Sequence, residues 1–388
     1  MKSRLVVVTG TLACNPYAGM AFQKMQFTVG LRRLGHDAYY FETTSSWPYD
    51  PIRRSRVCNS DYALPYLARV CESFGLGDRW AYRRSYSDKE WFGLSRAKAE
   101  ELLAHADAVL NVTAATRFAE EGLKVGRLVY VGTDPVIHEM AFVRGDEDIR
   151  TLIEEHDDLI TFGENIGNAD CPVPPLPRLR SKTRQPVLLD LWEGSVACKE
   201  EFTTVGNWKQ IGNEIEYRGE TYYWSKHLEF LKFIDLPLRM RQPIELAIGV
   251  ANLEPEERHV LETNGWRLAD AHALTADLSP YRNYIRASRG EFTVAKDQNI
   301  RLRTGWFSDR SACYLAAGRP VITQDTGFGK FLPTGEGLFS FNTMEEIIDA
   351  FDAINSDYER HSRAARGIAE EYFRAETVLA RTLNELGL

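Results

Sequence analysis

The segment Gly305-Trp306-Phe307-Ser308-Asp309-Arg310-Ser311-Ala312-Cys313-Tyr314-Leu315-Ala316-Ala317-Gly318-Arg319-Pro320-Val321-Ile322-Thr323-Gln324-Asp325-Thr326-Gly327 narrows the possible folds of this chain more than any other. It reads as a loop, a small-residue helix over 310–317, a Gly-Arg-Pro stop, a buried strand over 320–323 and a second glycine-containing loop. A helix, a sharp stop and an apolar strand in that order form the repeating unit of a parallel α/β sheet. The same order sets a helix N-terminus beside the carboxyl end of a strand. Backbone N–H groups there can hold a diphosphate, and the adjoining polar loop can hold a sugar.

Other stretches repeat the pattern. Leu5–Val8 is apolar on consecutive positions, as a strand covered on both faces requires. A loop over 10–19, a helix from about Ala21 to Leu34 and a strand at Ala38–Phe41 follow, which makes a β-α-β opening. Strands are expected at 108–112, 128–131 and 159–162, with helices at 97–105, from 113 to about Gly122, and at 151–158. The run Cys171-Pro172-Val173-Pro174-Pro175-Leu176-Pro177, polar and basic to Arg184, reads as a linker. Beyond it Val187–Leu191 is expected to be a buried strand and Phe202–Tyr223 an inserted hairpin over a cleft. Alternating helices and strands continue to a helical carboxyl end.

A chain of 388 residues is long for a single core. We therefore expect an α/β protein of two facing Rossmann-like lobes with an interlobe cleft. The expected divisions are an acceptor-side domain over 1–178, a donor domain over 179–368, and a helix over 369–388 packing back on the first domain. The net charge of −8 gives no general electrostatic reason to bind nucleic acid or anionic membrane. The six cysteines lack disulfide or zinc spacing, and no apolar run approaches the ~18 residues of a membrane span. A cytoplasmic location, no membrane span and no metal or cofactor are expected. The sequence carries no signal of oligomeric state.

Within the key segment, Ser308 or Asp309 suits the N-cap, with Arg310 and Ser311 in the first turn. A cation at a helix N-terminus opposes the dipole, so Arg310 is best explained by an anion shared with it. After the strand, Gln324-Asp325-Thr326-Gly327 can offer a carboxylate to sugar hydroxyls and N–H groups to a ligand, or can form an Asx turn. Lys296, Arg301 and Arg303 precede the segment as further cations, and Glu291 could hold a ribose or sugar hydroxyl. In the amino half, Asn15, Tyr17 and Gly19 belong to a loop that could approach acceptor or diphosphate. That loop matches neither G-x-G-x-x-G nor the P-loop pattern. Asp146-Glu147-Asp148 matches D-x-D but also fits an acidic helix start.

The run Gly318–Phe341, with its G-R-P-V-I, D-T-G-F and P-T-G-E-G-L-F-S-F elements, resembles the donor lobe of GT-B glycosyltransferases. More widely the chain resembles a bacterial branch of family-1-type glycosyltransferases. The resemblance implies transfer of a sugar from a nucleotide diphosphate sugar to an acceptor hydroxyl, the acceptor being an unidentified small molecule or glycan. Retaining members of that group often carry E-x(7)-E, whose glutamates would fall at Gly305 and Cys313 here. Their absence favours inversion, which requires a general base near the acceptor. Asp134, after the Val131-Gly132-Thr133 strand end, and His138, one helical turn on, are the candidates. Two alternatives remain open: a sugar-nucleotide epimerase of the same architecture, and a non-catalytic sugar-nucleotide-binding protein.

Overall fold

The computed structural model describes residues 2–194 and 196–388. Two sheets organise them. The first has eight strands in the order Leu179–Lys182, Asp158–Thr161, Leu128–Gly132, Ala108–Val112, Leu5–Thr9, Asp37–Thr43, Trp80–Arg83 and Trp91–Gly93. All neighbours are parallel except the last pair. The second has six parallel strands in the order Arg267–Asp270, Ile244–Ile248, Phe202–Val205, Gly290–Thr293, Val321–Gln324 and Leu338–Phe341. In chain order this is 3-2-1-4-5-6, the Rossmann arrangement. Val6, Val7 and Val8, fully buried on consecutive positions, show why such strands lack alternation: helices cover both faces.

Each sheet has a point where the strand order reverses. In the first it lies between Leu5–Thr9 and Ala108–Val112, and in the second between Phe202–Val205 and Gly290–Thr293. The loops leaving these strands diverge to opposite faces and open a crevice. Most expected elements are present with shifted ends, as the Ala18–Arg33 and Asp309–Ala316 helices illustrate.

Four expectations fail. Leu179–Lys182, placed in a linker and beyond the first domain, pairs with Asp158–Thr161, so the first sheet runs past residue 178. Val187–Leu191 is no sheet strand: Val187 forms an isolated bridge with Arg374, and Leu189–Trp192 is a 3₁₀ turn. Phe202–Val205 is a central strand of the second sheet, and the hairpin is confined to Ile215–Tyr217 and Glu220–Tyr222. Residues 113–122 do not form a helix. Thr113 and Ala114 adopt positive φ, and the Asn111 amide bonds Thr116 through both its N–H and C=O. That side chain satisfies locally the backbone groups a helix would have used.

The chain returns to the first lobe through the Val187–Arg374 bridge. The Ala375–Glu385 helix then lies on Ala18–Arg33, with Leu379 and Leu383 buried among Val6, Val8, Phe27 and Leu31. The helices approach closely because position 30 is glycine: a Cβ there would sit 2.6 Å from Leu379 Cδ1 and 3.0 Å from Ala375 Cβ. Gly30→Val is therefore expected to lower stability by about 1–3 kcal/mol through overpacking, read as a reduced urea midpoint. An unchanged midpoint would mean that this contact yields without cost.

Candidate functional site

A cavity of about 590 Å³ lies between the lobes, walled by loops that leave the carboxyl ends of strands in both sheets. The first lobe contributes Tyr17, Gly19, Met20, Gln23 and Tyr49, and Asp134 from the loop after Leu128–Gly132. The second contributes Gly206 to Gln210 after Phe202–Val205, Gly249 after Ile244–Ile248, and Lys296 after Gly290–Thr293. Lys226, Tyr281, Trp306, Ser308, Asp309 and Arg310 stand on the same wall. The walls on the second lobe thus cluster at its reversal point, where open α/β sheets hold ligands.

Cationic groups dominate the second-lobe side. Arg310 points into the reversal point: its Nε donates to Glu291 Oε1 at 2.6 Å, Nη1 to the Val205 carbonyl at 2.7 Å and Nη2 to Thr293 Oγ1 at 3.0 Å. The guanidinium therefore ties together the two central strands, and Glu291, fully buried, balances its charge. Lys226 has no such balance. No carboxylate ion-pairs with it among the described residues, and burial, followed by repulsion from Arg310, pushes its ammonium well below the ordinary lysine range. Behind Gln23 lies Lys24, fully buried on the Ala18–Arg33 helix, whose Nζ donates to Gln23 Oε1 at 2.7 Å. Burial lowers its pKa to about 8.

Acidic groups face these cations. Asp134 Oδ1 accepts from Lys296 Nζ at 2.8 Å across the cavity. Burial raises the Asp134 pKa, but the Lys296 charge and hydrogen bond outweigh it, so the carboxyl is held below its usual range. Asp309 Oδ1 accepts from the Arg310 N–H at 2.9 Å, and burial pushes its carboxyl up. Ser308 is the N-cap of the Asp309–Ala316 helix, but its own side chain makes no capping bond, and the first-turn N–H of Arg310 is met by Asp309.

Asp134 is held by an unusual backbone. Two residues on, Val136 has φ 100°, a conformation a β-branched residue adopts only under constraint. Its N–H donates to Glu139 Oε2 at 2.8 Å, and both side chains are buried. The helix Ile137–Arg144 then turns His138 away from the cavity, where its Nδ1 lies 2.8 Å from Tyr130 Oη. Burial lowers the His138 pKa.

Of the residues singled out from sequence, the cavity gathers Tyr17, Gly19, Asp134, Lys296, Ser308, Asp309 and Arg310. It does not gather the others. Glu291 is the counter-ion of Arg310, without an exposed oxygen for a sugar. The Ser311 side chain is buried. Gln324 is buried between the Ala295 N–H and Glu229. Asp325 accepts from Arg303, which also binds Asp170 of the first lobe, and Thr326 donates to the Trp306 carbonyl. Gly327 abuts Asn165 and Arg303. The 325–327 loop leaves a strand one position beyond the reversal point, so it meets the first lobe instead of the cavity. Asn15 accepts from Arg56. Arg301 pairs with Asp297 and Glu220. Asp146 caps the Glu147–Glu154 helix through the Ile149 N–H, and Asp148 pairs with Arg117.

Sequence reasoning passed over Lys24, Lys226, Trp306 and Tyr281. Lys226 is the N-cap of the five-residue helix His227–Leu231, after Tyr223-Trp224-Ser225, and an isolated lysine there carries no local pattern. Trp306 had a signal: a tryptophan between Gly305 and the helix start, whose indole donates to the Thr133 carbonyl at 2.9 Å and links the lobes.

No protein-family model matches the chain, and no curated protein does. Solved structures match over almost its whole length. A glycosyltransferase from Rickettsia africae aligns with a TM-score of 0.56 at 9% identity, over 99% of this chain and 98% of its own. Anabaena HepE in complex with UDP and glucose aligns at 0.58 and 11% identity, over 99% of both chains. Sucrose-phosphate synthase from Thermosynechococcus elongatus aligns at 0.52 and 12%, over 98% of both. The likeness is one of fold: the chain has the GT-B architecture of two facing Rossmann-like lobes. Among the described residues no helix is long and apolar enough to cross a membrane, and all six cysteines are free thiols.

Proposed function

We propose that this protein is a glycosyltransferase that moves a sugar from a nucleotide diphosphate sugar to an acceptor hydroxyl, with inversion and without a metal ion. The observation that carries the reading is Lys226: a lysine on the wall of an interlobe cavity that no carboxylate ion-pairs among the described residues. Its ammonium form is disfavoured there until a ligand anion completes it. Lys296 and Arg310 stand around the same space, so a diphosphate there would meet several positive groups. Such groups stabilise the charge that develops on a leaving diphosphate, the work a divalent cation does elsewhere. HepE holds UDP and glucose on a similar fold, which supports a sugar nucleotide as the occupant.

Asp134 faces the second-lobe cations from the opposite wall, where an acceptor would sit. In the reaction the acceptor oxygen forms a bond to the anomeric carbon as its proton passes to Asp134. The carbon–oxygen bond to the diphosphate breaks, and the electron pair leaves with the nucleoside diphosphate. Gly305 and Cys313 stand where retaining relatives have glutamates, which supports direct displacement. Asp309, on the cavity wall, supports a role at the sugar hydroxyls. The planar side chains of Tyr17 and Tyr49, 5.6 Å apart, offer a stacking surface for an acceptor or a base.

Lys226→Met tests the reading. A charge-assisted contact contributes about 1.5–3 kcal/mol, so sugar-nucleotide affinity should fall about 10- to 150-fold by calorimetry. Thermal stability should hold or rise, because repulsion from Arg310 and Lys296 disappears. Undiminished affinity in the variant, or no thermal shift of the native protein with UDP-, GDP- or dTDP-sugars, would overturn the proposal.

A further inference from the structure

Lys296 and Asp134 face each other from opposite lobes, and each is needed elsewhere once the transferase reading above is adopted. The Lys296 ammonium sits at the reversal point, within electrostatic reach of Lys226 and 3.0 Å from the ring centroid of Trp224. A donor diphosphate drawn by Lys226 would come to rest beside it. Asp134 meanwhile cannot accept a proton readily while an ammonium lies 2.8 Å away. The two partners also differ in freedom. Asp134 belongs to a loop fixed by the buried Val136, its positive φ and the Glu139 bond to its N–H. Lys296 ends a flexible four-carbon stem.

We propose that the donor exchanges partners with this pair: its diphosphate takes the Lys296 ammonium, and the released Asp134 carboxylate becomes able to deprotonate the acceptor. The inference rests on the transferase reading and adds an order to it. Before the donor binds, the base is quenched by Lys296. After it binds, the same lysine stabilises the leaving group. An acceptor hydroxyl is thus activated only when a donor is present to receive its attack.

The groups that face Asp134 are Lys296 and Asp309 from the second lobe, Lys24 from the Ala18–Arg33 helix, and Tyr130 and His138 beside its own loop. Of these, Lys296 alone both touches its carboxylate and comes from the lobe that would hold the donor. Burial and the Lys296 interaction act on Asp134 in opposite senses, and the ion pair wins. Removing the pair therefore raises the Asp134 titration.

The test is a carbon-NMR titration of aspartate carboxyl groups, with Asp134→Asn assigning the resonance and inorganic pyrophosphate as the probe. In the native protein, saturating pyrophosphate should raise the Asp134 midpoint by about one pH unit or more. In Lys296→Met the midpoint should start higher and move by less than about a third as much. Asp134→Asn adds a reading that needs no titration: with no carboxylate to leave, Lys296 should bind pyrophosphate about tenfold more tightly. Pyrophosphate binding without a shift in the native protein, an equal shift in Lys296→Met, or no affinity gain in Asp134→Asn would overturn the exchange and leave the proposed function standing. Failure of both pyrophosphate and every sugar nucleotide to bind would overturn both.

Discussion

Asparagine at position 134 is expected to cut turnover by about a hundred- to ten-thousand-fold while donor affinity does not weaken. The asymmetry follows from the geometry. Asp134 stands on the first-lobe wall, and its carboxylate can take a proton that an amide cannot. Lys296, deprived of its ion pair, remains at the reversal point and free to meet a diphosphate. Single-turnover transfer with saturating donor separates the chemical step from product release. Turnover within a few-fold of the native rate would remove Asp134 as the base. His138 would not replace it without movement, because its ring is engaged with Tyr130 and lies off the cavity wall. The same reasoning predicts a difference between two pH profiles. The acid limb of kcat/KM reports the free protein, where Lys296 holds Asp134 below the carboxylate range. The acid limb of kcat reports the donor-bound state and should lie at higher pH.

The fold was largely readable because its signals are local. Consecutive valines at 6–8 suit a strand covered on both faces, and the Gly318-Arg319-Pro320 stop separates the Asp309–Ala316 helix from the Val321–Gln324 strand. The misreadings have a shared cause. Leu179–Lys182 follows a proline-rich run, and nothing in its own residues says that Asp158–Thr161 has a free edge beside it. Val187–Leu191 is apolar enough for a strand, but its backbone is claimed by residues 373–375, nearly two hundred positions on.

The site was readable only in part, for the same reason. Arg310 could be placed near the cavity from its helix end, yet its counter-ion Glu291 could not, since that pair is made by strand order. Asp325 follows a strand carboxyl end just as Lys296 does. What distinguishes them is distance from the reversal point, which is a property of sheet order and not of the loop sequence. Lys24 lies within a helix and Lys226 just before one, neither with a phosphate-binding pattern, and only the fold brings them to one place.

Arg310→Ala is expected to cost about 3–5 kcal/mol of folding stability, more than an ordinary cavity-wall residue would. The reason is the partner left behind. Glu291 has no exposed surface, and only Arg310 ion-pairs with it among the described residues. Without the guanidinium a buried carboxylate stands uncompensated, and the Val205 carbonyl and Thr293 hydroxyl lose their donor. Glu291→Gln in the same background removes the charge that creates most of the penalty. The double variant should therefore recover about half of the loss in urea denaturation, a coupling that independent sites would not show. Equal stability of Arg310→Ala with and without Glu291→Gln would mean that the pair does not bind the two central strands together. The result also bears on function. If Arg310 acts first as a clamp on the reversal point, restoring stability through Glu291→Gln leaves donor affinity impaired only to the extent that the guanidinium edge itself faces the diphosphate. Comparing donor binding in Lys226→Met and in the Arg310/Glu291 double variant then divides the electrostatic work between an unbalanced lysine and a balanced arginine. The balanced one should matter less to the ligand and more to the fold.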